Sequence, residues 1–180
     1  LITLQKILKK IAIPIMIAGV LLSTLHQSSL GSLFLIVPQK MHPLWYSPLL
    51  PVYFYLTAIS AGFAMVIFES YLSARAFGKE LELPLLAECS LYSIGFLALY
   101  MVVKFTELAV TGNISYLFES SFLSFMFLAE ITIGILVPGI ILSRTKNRRN
   151  RTTLFTAVVM IIAGFLMNRM NVGVTSISVY

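Results

Sequence analysis

The stretch with the strongest chemical character is Ser23–Gly31, which reads Ser-Thr-Leu-His-Gln-Ser-Ser-Leu-Gly and lies inside a long apolar run. A histidine flanked by a glutamine and four hydroxyls is expensive in hydrocarbon, so such residues face a bundle interior or a cavity and often mark a site. The hydroxyls could alternatively serve only to hold helices together. The pattern predicts a functional role for His26, with Gln27 beside it.

Four further ionisable residues fall inside apolar segments, namely Lys104, Glu107, Glu130 and Arg169. With a rise of about 1.5 Å per helical residue, these four and His26 all fall in one half of the bilayer. Lys104 and Glu107 share a helix face, which favours an internal ion pair, and Glu130 and Arg169 could pair across helices. Such groups also deliver or accept protons, so the set predicts a pocket or a proton path.

The elements that must position these residues are predicted to be membrane-spanning helices. The chain is 58% hydrophobic and 11% charged, which is typical of an integral membrane protein rather than a soluble globule. We predict an all-α integral membrane protein with about five transmembrane helices, forming a four-helix-type bundle plus an additional helix. The predicted spans are 11–37, 49–72, 85–110, 120–142 and 154–170. Pro138 is expected to kink the fourth span, and the fifth is marginal in length.

The distribution of basic residues predicts the orientation. The net charge of +6 would suit a nucleic-acid binder, but ten of the thirteen Lys and Arg residues lie outside the spans on the side where the chain starts. We call this side A, and only Lys40 lies on the opposite side, side B. Because cytoplasmic loops are rich in Lys and Arg, side A is predicted to be cytoplasmic, with the basic segment Arg144–Arg151 against anionic membrane lipid. No nucleic-acid partner is expected.

The first loop on side B, residues 38–48, contains His42, Trp45 and Tyr46. Tryptophan and tyrosine at this level are typical of the aromatic belt at a membrane surface. The alternative is a docking surface for a peripheral partner protein, and we carry these three residues forward as docking candidates.

Quinone chemistry suits the intramembrane set. Reducing a quinone moves electrons and protons together, so its oxygens need hydrogen-bonding partners that exchange protons with one aqueous side. The His26 imidazole is a suitable partner because it can donate or accept a hydrogen bond. A haem held by two histidines would need a second histidine at membrane depth, and the single cysteine, Cys89, excludes a cysteine-ligated cluster. We therefore expect no haem and no metal in this chain.

Four short motifs resemble the NrfD-like family, the cofactor-free membrane subunits of polysulphide reductase and related complexes. They are Leu25–Gly31 (LHQSSLG), His42–Trp45 (HPLW), Pro48–Pro51 (PLLP) and Asn168–Val172 (NRMNV). The nearest likeness is to the HybB-type membrane subunits of periplasmic nickel–iron hydrogenases, and it extends through all five spans. Full-length members have more spans, so residues 1–180 resemble their C-terminal portion.

The resemblance implies a function. Such subunits bind menaquinone or ubiquinone near the periplasmic face and exchange electrons with a docked iron–sulfur protein, in some members with coupled proton movement. This implies a quinone-binding role for His26 and Gln27. It also implies two partners, a periplasmic ferredoxin-like iron–sulfur subunit and a catalytic subunit such as a hydrogenase or another reductase. The chain would be non-catalytic alone, and it would lie in a bacterial or archaeal cytoplasmic (inner) membrane with its N-terminus cytoplasmic.

Two other functions fit parts of the pattern. A secondary transporter or ion-translocating subunit could use Lys104, Glu107 and Glu130 as a site at the membrane midplane, but Pro14 and Pro138 do not fall in matching repeats as such proteins often show. A structural membrane anchor is the third possibility, although an anchor has no need for an intramembrane histidine with four charged neighbours.

Overall fold

The computed structural model describes residues 2–36, 38–118 and 121–178, and those residues form helices and connections with no strand. The α-helices within these ranges are α1 (Ile2–Leu33), α2 (Leu50–Phe77), α3 (Leu83–Val110), α4 (Phe122–Ile131), α5 (Val137–Ser143), α6 (Thr145–Arg148), α7 (Arg151–Met170) and α8 (Ser176–Ser178). Short 3₁₀ helices occupy Phe34–Ile36, Pro38–Lys40 and Asn113–Leu117.

The described residues contain five helical segments long and apolar enough to cross a membrane. They are Lys10–Ile36, Leu50–Phe77, Leu83–Val110, Phe122–Ser143 and Arg151–Thr175. This confirms the predicted all-α class and the number of spans. The predicted end of the first span, Val37, and the predicted start of the fourth, Ser120, lie outside the described residues.

The second span runs five residues further than predicted. Helix α2 ends at Phe77 because Gly78 adopts the left-handed conformation, with φ at 63°, and its N–H donates to the Ala74 carbonyl. A glycine accepts this conformation without a Cβ penalty, which makes it a common helix terminator. The prediction stopped at Leu72 because the sequence turns polar one turn before the backbone leaves the helix.

The fourth span contains a π-helical turn at Thr132–Leu136, between α4 and α5. Pro138 follows it immediately, and proline can neither donate to the preceding turn nor fit beside its carbonyl. A widened turn before the proline makes room for its ring and leaves out the hydrogen bond that proline cannot donate. The sequence predicted the position of this irregularity but not its form.

The fifth span was predicted to end at the polar run Asn168–Asn171, but it continues beyond that run. The helix continues through α7 into a second π-helical turn, Asn171–Thr175, and then into α8. The polar side chains resembled a helix terminus, but they are buried or half-buried inside the bundle, where protein groups accept and donate their hydrogen bonds.

Four of the five spans pack around each other, and α1 lies outside this bundle, chiefly against α2. Two large hydrophobic clusters fill the interior, together with a smaller one of Tyr53, Leu56 and Tyr100. The side-B core is Met41, Leu44, Trp45, Leu50, Phe54, Leu108, Leu123, Phe127, Ile131 and Val172. The side-A core is Ala64, Ile67, Leu86, Leu97, Leu142, Leu154, Ala157, Val158 and Ile161. The arrangement agrees with the predicted four-helix bundle and additional helix.

The fourth and fifth spans cross in backbone contact at Gly134 and Gly164. A Cβ atom added to Gly134 would lie 2.6 Å from the Gly164 Cα atom, closer than real Cβ contacts occur. Small residues at helix crossings let membrane helices approach closely. Glu130 lies four residues before Gly134 and Asn168 four residues after Gly164, so the crossing brings these two side chains onto facing surfaces.

Candidate functional site

The centre of the polar cluster is the Glu130 carboxylate on α4, whose residue is 2% exposed. Three neutral groups donate to it. The Trp45 indole Nε1 lies 3.2 Å from Oε2, the Asn171 Nδ2 lies 2.8 Å from Oε2, and the Asn168 Nδ2 lies 2.7 Å from Oε1. A buried carboxylate needs such partners, and here they come from the side-B loop and from the end of the fifth span.

Arg169 does not pair directly with Glu130 among the described contacts, so the suggested ion pair is wrong. Asn168 lies between the two: its Oδ1 accepts from Arg169 Nη1 at 2.8 Å, while its Nδ2 donates to Glu130. The guanidinium also lies 3.7 Å from the Phe54 ring centroid and 4.5 Å from that of Phe165. These rings stabilise its charge without a carboxylate contact.

The second guanidinium nitrogen of Arg169 joins three helices. Nη2 donates to the Gln27 Oε1 on α1 at 3.2 Å, and to the Phe54 carbonyl and the Thr57 hydroxyl on α2 at 3.1 and 3.0 Å. Together with Asn168, these bonds form a continuous chain from the polar stretch of α1 to the Glu130 carboxylate. The structure thus brings together Gln27, Arg169 and Glu130.

Lys104 and Glu107 form the ion pair that their spacing predicts, with 3.8 Å between Nζ and Oε2. Glu107 also accepts a hydrogen bond from Tyr53 OH at 2.6 Å and one from the Ser47 hydroxyl. Lys104 is 2% exposed and lies 5.1 Å above the Tyr53 ring centroid, but its Nζ has no hydrogen-bond acceptor among the described residues. The ion pair that the spacing predicts is confirmed.

Two small cavities lie beside these groups. One of about 20 Å³ is lined in part by Thr57, Tyr100, Glu130 and Asn168. The other, of about 10 Å³, is lined in part by Tyr100, Lys104 and Asn168. The larger has room for about one water molecule. Both cavities border Tyr100 and Asn168.

The aromatic residues of the side-B loop point inward. His42 and Trp45 are buried and Tyr46 is half-buried, so the three docking candidates do not form an exposed aromatic patch. The His42 ring packs 5.5 Å from Tyr116, and the Trp45 ring packs 5.8 Å from Phe127 between centroids. A docking role for these residues must therefore act through the loop they hold rather than through direct contact.

His26 lies apart from the bonded network. Its side chain is exposed on α1, one residue before the half-buried Gln27. On the same helix, Ser23 and Thr24 line a groove of about 570 Å³ between α1 and α2 that is otherwise apolar. Histidines within membrane spans usually have a polar partner, and none of the hydrogen bonds described above involves His26.

Sequence reasoning missed several members of the cluster: Trp45 as a donor, Ser47, Tyr53, Thr57, Asn168 and Asn171. Asn168 and Asn171 carried a usable signal, since residues three apart on a helix share a face. If the helix had been predicted to continue past Asn171, these two residues would have indicated a pair of amides that donate to one acceptor.

Comparison with known proteins places the chain in a family. A family model described as "Polysulphide reductase, NrfD" matches residues 1–178. The chain is 34% identical over 176 residues to a Nitratidesulfovibrio vulgaris protein whose name states no function. This alignment covers 94% of this chain and 45% of that protein. It is 35% identical over 167 residues to the "Probable Ni/Fe-hydrogenase 2 b-type cytochrome subunit" of Escherichia coli, covering 91% and 42%. The chain thus spans less than half the length of both relatives. No solved structure matches.

The name of the second relative contradicts the prediction that this chain carries no haem, because a b-type cytochrome holds one. That prediction is therefore wrong on this comparison. The residues described here do not themselves fit a haem held between two histidines. His26 is exposed on α1, whereas the His42 ring packs against Tyr116 and its Nδ1 accepts from the Leu44 N–H at 3.3 Å. Among the described residues, no group of three or more His, Cys, Asp or Glu side chains could hold a metal ion.

Proposed function

Because the chain belongs to the NrfD family of polysulphide reductase, we propose that it is the quinone-reactive part of a membrane subunit in a respiratory oxidoreductase complex. It passes electrons between a periplasmic iron–sulfur protein and the membrane quinone pool, which is menaquinone or ubiquinone. The proposal assigns quinone contact to His26 and Gln27. It assigns the proton path or the surrounding pocket to Lys104, Glu107, Glu130 and Arg169.

The observation that carries this proposal is the bonded chain from α1 to the buried carboxylate. Gln27 accepts from Arg169, Arg169 donates to Asn168, and Asn168 donates to Glu130. A ligand that bonds the polar stretch of α1 would therefore be linked to an intramembrane titratable group through three hydrogen bonds. Intramembrane ionisable residues of this kind commonly mark proton relays.

The proposed reaction balances within this arrangement. A quinone takes up two electrons and two protons to give a quinol, and the reverse step releases both. The docked iron–sulfur protein supplies or accepts the electrons. The imidazole of His26 hydrogen-bonds a quinone oxygen, and Glu130 and Glu107 exchange the protons with side B. An apolar ligand can reach His26 from lipid, since the side chain of His26 is exposed on α1.

The orientation and partners form part of the same proposal. Side B is the periplasmic face, where an iron–sulfur subunit and a catalytic subunit assemble, and side A with its basic loop faces the cytoplasm. The E. coli relative is named as a subunit of a nickel–iron hydrogenase, which supports a partner of that class for this chain.

The replacement His26→Ala tests the proposal in the assembled complex. Loss of one hydrogen bond to a charged group is worth about 1.5–3 kcal/mol, so quinone-linked turnover should fall roughly ten- to a hundredfold if that bond serves the transition state. The partner's activity with an artificial electron acceptor should stay unchanged. Leu25→Ala, an exposed neighbour on the same helix, is the matched control and should turn over quinone normally. A His26→Ala complex that assembles and reduces quinone at the wild-type rate would refute the assignment.

A further inference from the structure

One short loop supplies a hydrogen-bond donor to each of two carboxylates in the side-B half of the bundle, Glu130 and Glu107. Trp45 donates its indole N–H to Glu130, and Ser47 donates its hydroxyl to Glu107. The two donors are two residues apart in the loop 41–47, whereas the two carboxylates belong to different helices, α4 and α3. Any displacement of this loop therefore changes the surroundings of both carboxylates together.

The loop is anchored at its far end as well. The His42 backbone N–H donates to the Ser176 hydroxyl at 3.0 Å, and the His42 carbonyl accepts from the N–H groups of Trp45 and Tyr46, both at 3.0 Å. These bonds form a tight turn that sets the direction of the Trp45 side chain. Phe127 then packs edge-on against the indole at 5.8 Å. The backbone hydrogen bonds of the loop and the contact with Phe127 together fix the position of the Trp45 indole N–H.

The side-B surface around the loop exposes large apolar side chains. Phe118 is 84% exposed and Ile114 is 41% exposed in the connection between α3 and α4, and Ile36 and Leu49 flank the loop on either side. That connection also carries Tyr116, whose ring packs on His42. An exposed apolar surface on a loop is one form that a protein docking site takes. A soluble protein with an apolar patch would contact the same segment that holds the loop.

We propose that the loop 41–47 is a positioning element, through which a protein docked on side B sets the hydrogen bonding of Glu130 and Glu107. Trp45 and Ser47 act on the reaction only through these carboxylates. The inference rests on the proposed function, which supplies both the docked redox partner and the demand for protons. It adds a route by which docking and proton supply become linked.

The chain offers a built-in reporter, since Trp45 is its only tryptophan. In the chain reconstituted in lipid nanodiscs, tryptophan emission and its quenching by acrylamide report on the loop alone. The replacement Ser176→Ala removes the anchor of His42 without touching either carboxylate. It should shift the Trp45 emission maximum to longer wavelength and increase quenching. The matched control is Ser90→Ala, a fully buried serine of α3 that bonds the Ala87 carbonyl and should leave the emission unchanged.

In the assembled complex, Ser176→Ala should lower the kcat of quinone-linked turnover about five- to tenfold, a usual size for coupling between sites. The KM for quinone should not change, because the hydrogen bonds of the loop described above run to Ser176, Glu130 and Glu107 rather than to His26 or Gln27. The partner's activity with an artificial acceptor should stay normal. Trp45→Phe keeps an aromatic ring but removes the donor, and it should lower kcat in the same way.

The outcomes separate this inference from the proposed function. If Ser176→Ala shifts the emission while kcat stays at the wild-type value, or if Trp45→Phe has a normal kcat, the coupling is wrong although the proposed function stands. Unchanged emission in Ser176→Ala would show that this anchor does not hold the loop, which also overturns the inference. A normal quinone turnover in His26→Ala would instead count against the proposed function itself.

Discussion

The side-A and side-B halves of the bundle are held together by different forces. The side-A core consists of aliphatic side chains such as Ile67, Leu154 and Val158, and buried serine hydroxyls are the polar side chains near it. The side-B half contains an apolar core too, but it encloses Lys104 and Glu130. One half is packed like an ordinary membrane bundle, and the other keeps charged groups at a depth where they are costly.

This difference indicates where the molecule needs chemistry. Lipid tails are as apolar as leucine, so helices in a bilayer gain little from burying aliphatic surface against each other and rely on close packing instead. Lys104 and Glu130 are the buried Lys and Glu side chains among the described residues, and neither of them lies in the side-A half. Replacing a buried ion pair with well-packed aliphatic residues is often neutral or stabilising, so stability alone does not explain the charged residues of the side-B half. We infer that they are kept for proton-linked function.

The strongest challenge to this comparison is Glu130→Ala. It leaves the donors of Trp45, Asn168 and Asn171 without their acceptor, and at about 1–3 kcal/mol for each unsatisfied group the loss is roughly 3–9 kcal/mol. The free energy of unfolding in mixed detergent micelles measures it. Glu130→Gln retains an acceptor oxygen and should lose much less. Equal stability of the two variants would show that the hydrogen bonds do not hold this half together.

Leu154→Ala probes the opposite half. Truncating a fully buried leucine should reduce the free energy of unfolding by about 2–5 kcal/mol through lost contacts and the cavity left behind. Quinone-linked turnover per assembled complex should stay at the wild-type value, because no ionisable group of the site borders this residue in the described contacts. A specific loss of turnover with normal assembly would break the distinction between the two halves.

Gly164→Ala tests the boundary between the halves and should have the smallest effect of the three. Its new methyl group would meet the Gly134 backbone, and overpacking of this kind is worth about 1–3 kcal/mol. Glu130 and Asn168 should be pushed apart, so quinone turnover should fall together with stability. The matched control is Gly62→Ala on α2, where a Cβ meets nothing within 4 Å. Equal stability of the two variants would show that the crossing is not a close contact.

The sequence predicted the framework because hydropathy and helical rise are local properties. Five apolar runs gave the five spans, and counting residues placed Lys104, Glu107, Glu130 and Arg169 in one half. The Lys104–Glu107 pair followed from their spacing alone, since residues three apart on a helix are neighbours. These successes need no knowledge of how the helices are arranged around each other.

The partners of Glu130 could not be predicted, because they depend on the rotation of each helix and on the path of a loop. Trp45 resembled a membrane-surface residue, and only the fold of the loop turns its indole toward α4. Asn168 resembled part of a helix end, yet it lies between Arg169 and Glu130. An amide can bridge a cation and an anion because its oxygen accepts and its nitrogen donates hydrogen bonds. Matching Arg169 to Glu130 by their estimated depth in the membrane did not consider an amide between them.

The π-helical turn at Thr132–Leu136 separates two rotational phases of one membrane span. A π turn holds one residue more than an α-helical turn, so α4 and α5 do not continue the same helical phase. If the residues Thr132–Leu136 adopted a regular α-helix instead, with none deleted, the α4 face would turn by about 100° relative to α5. Glu130 would then leave Asn168 and Asn171, while Leu142 could keep its place in the side-A core. A single inserted residue is therefore enough to aim the carboxylate independently of the packing that anchors the span.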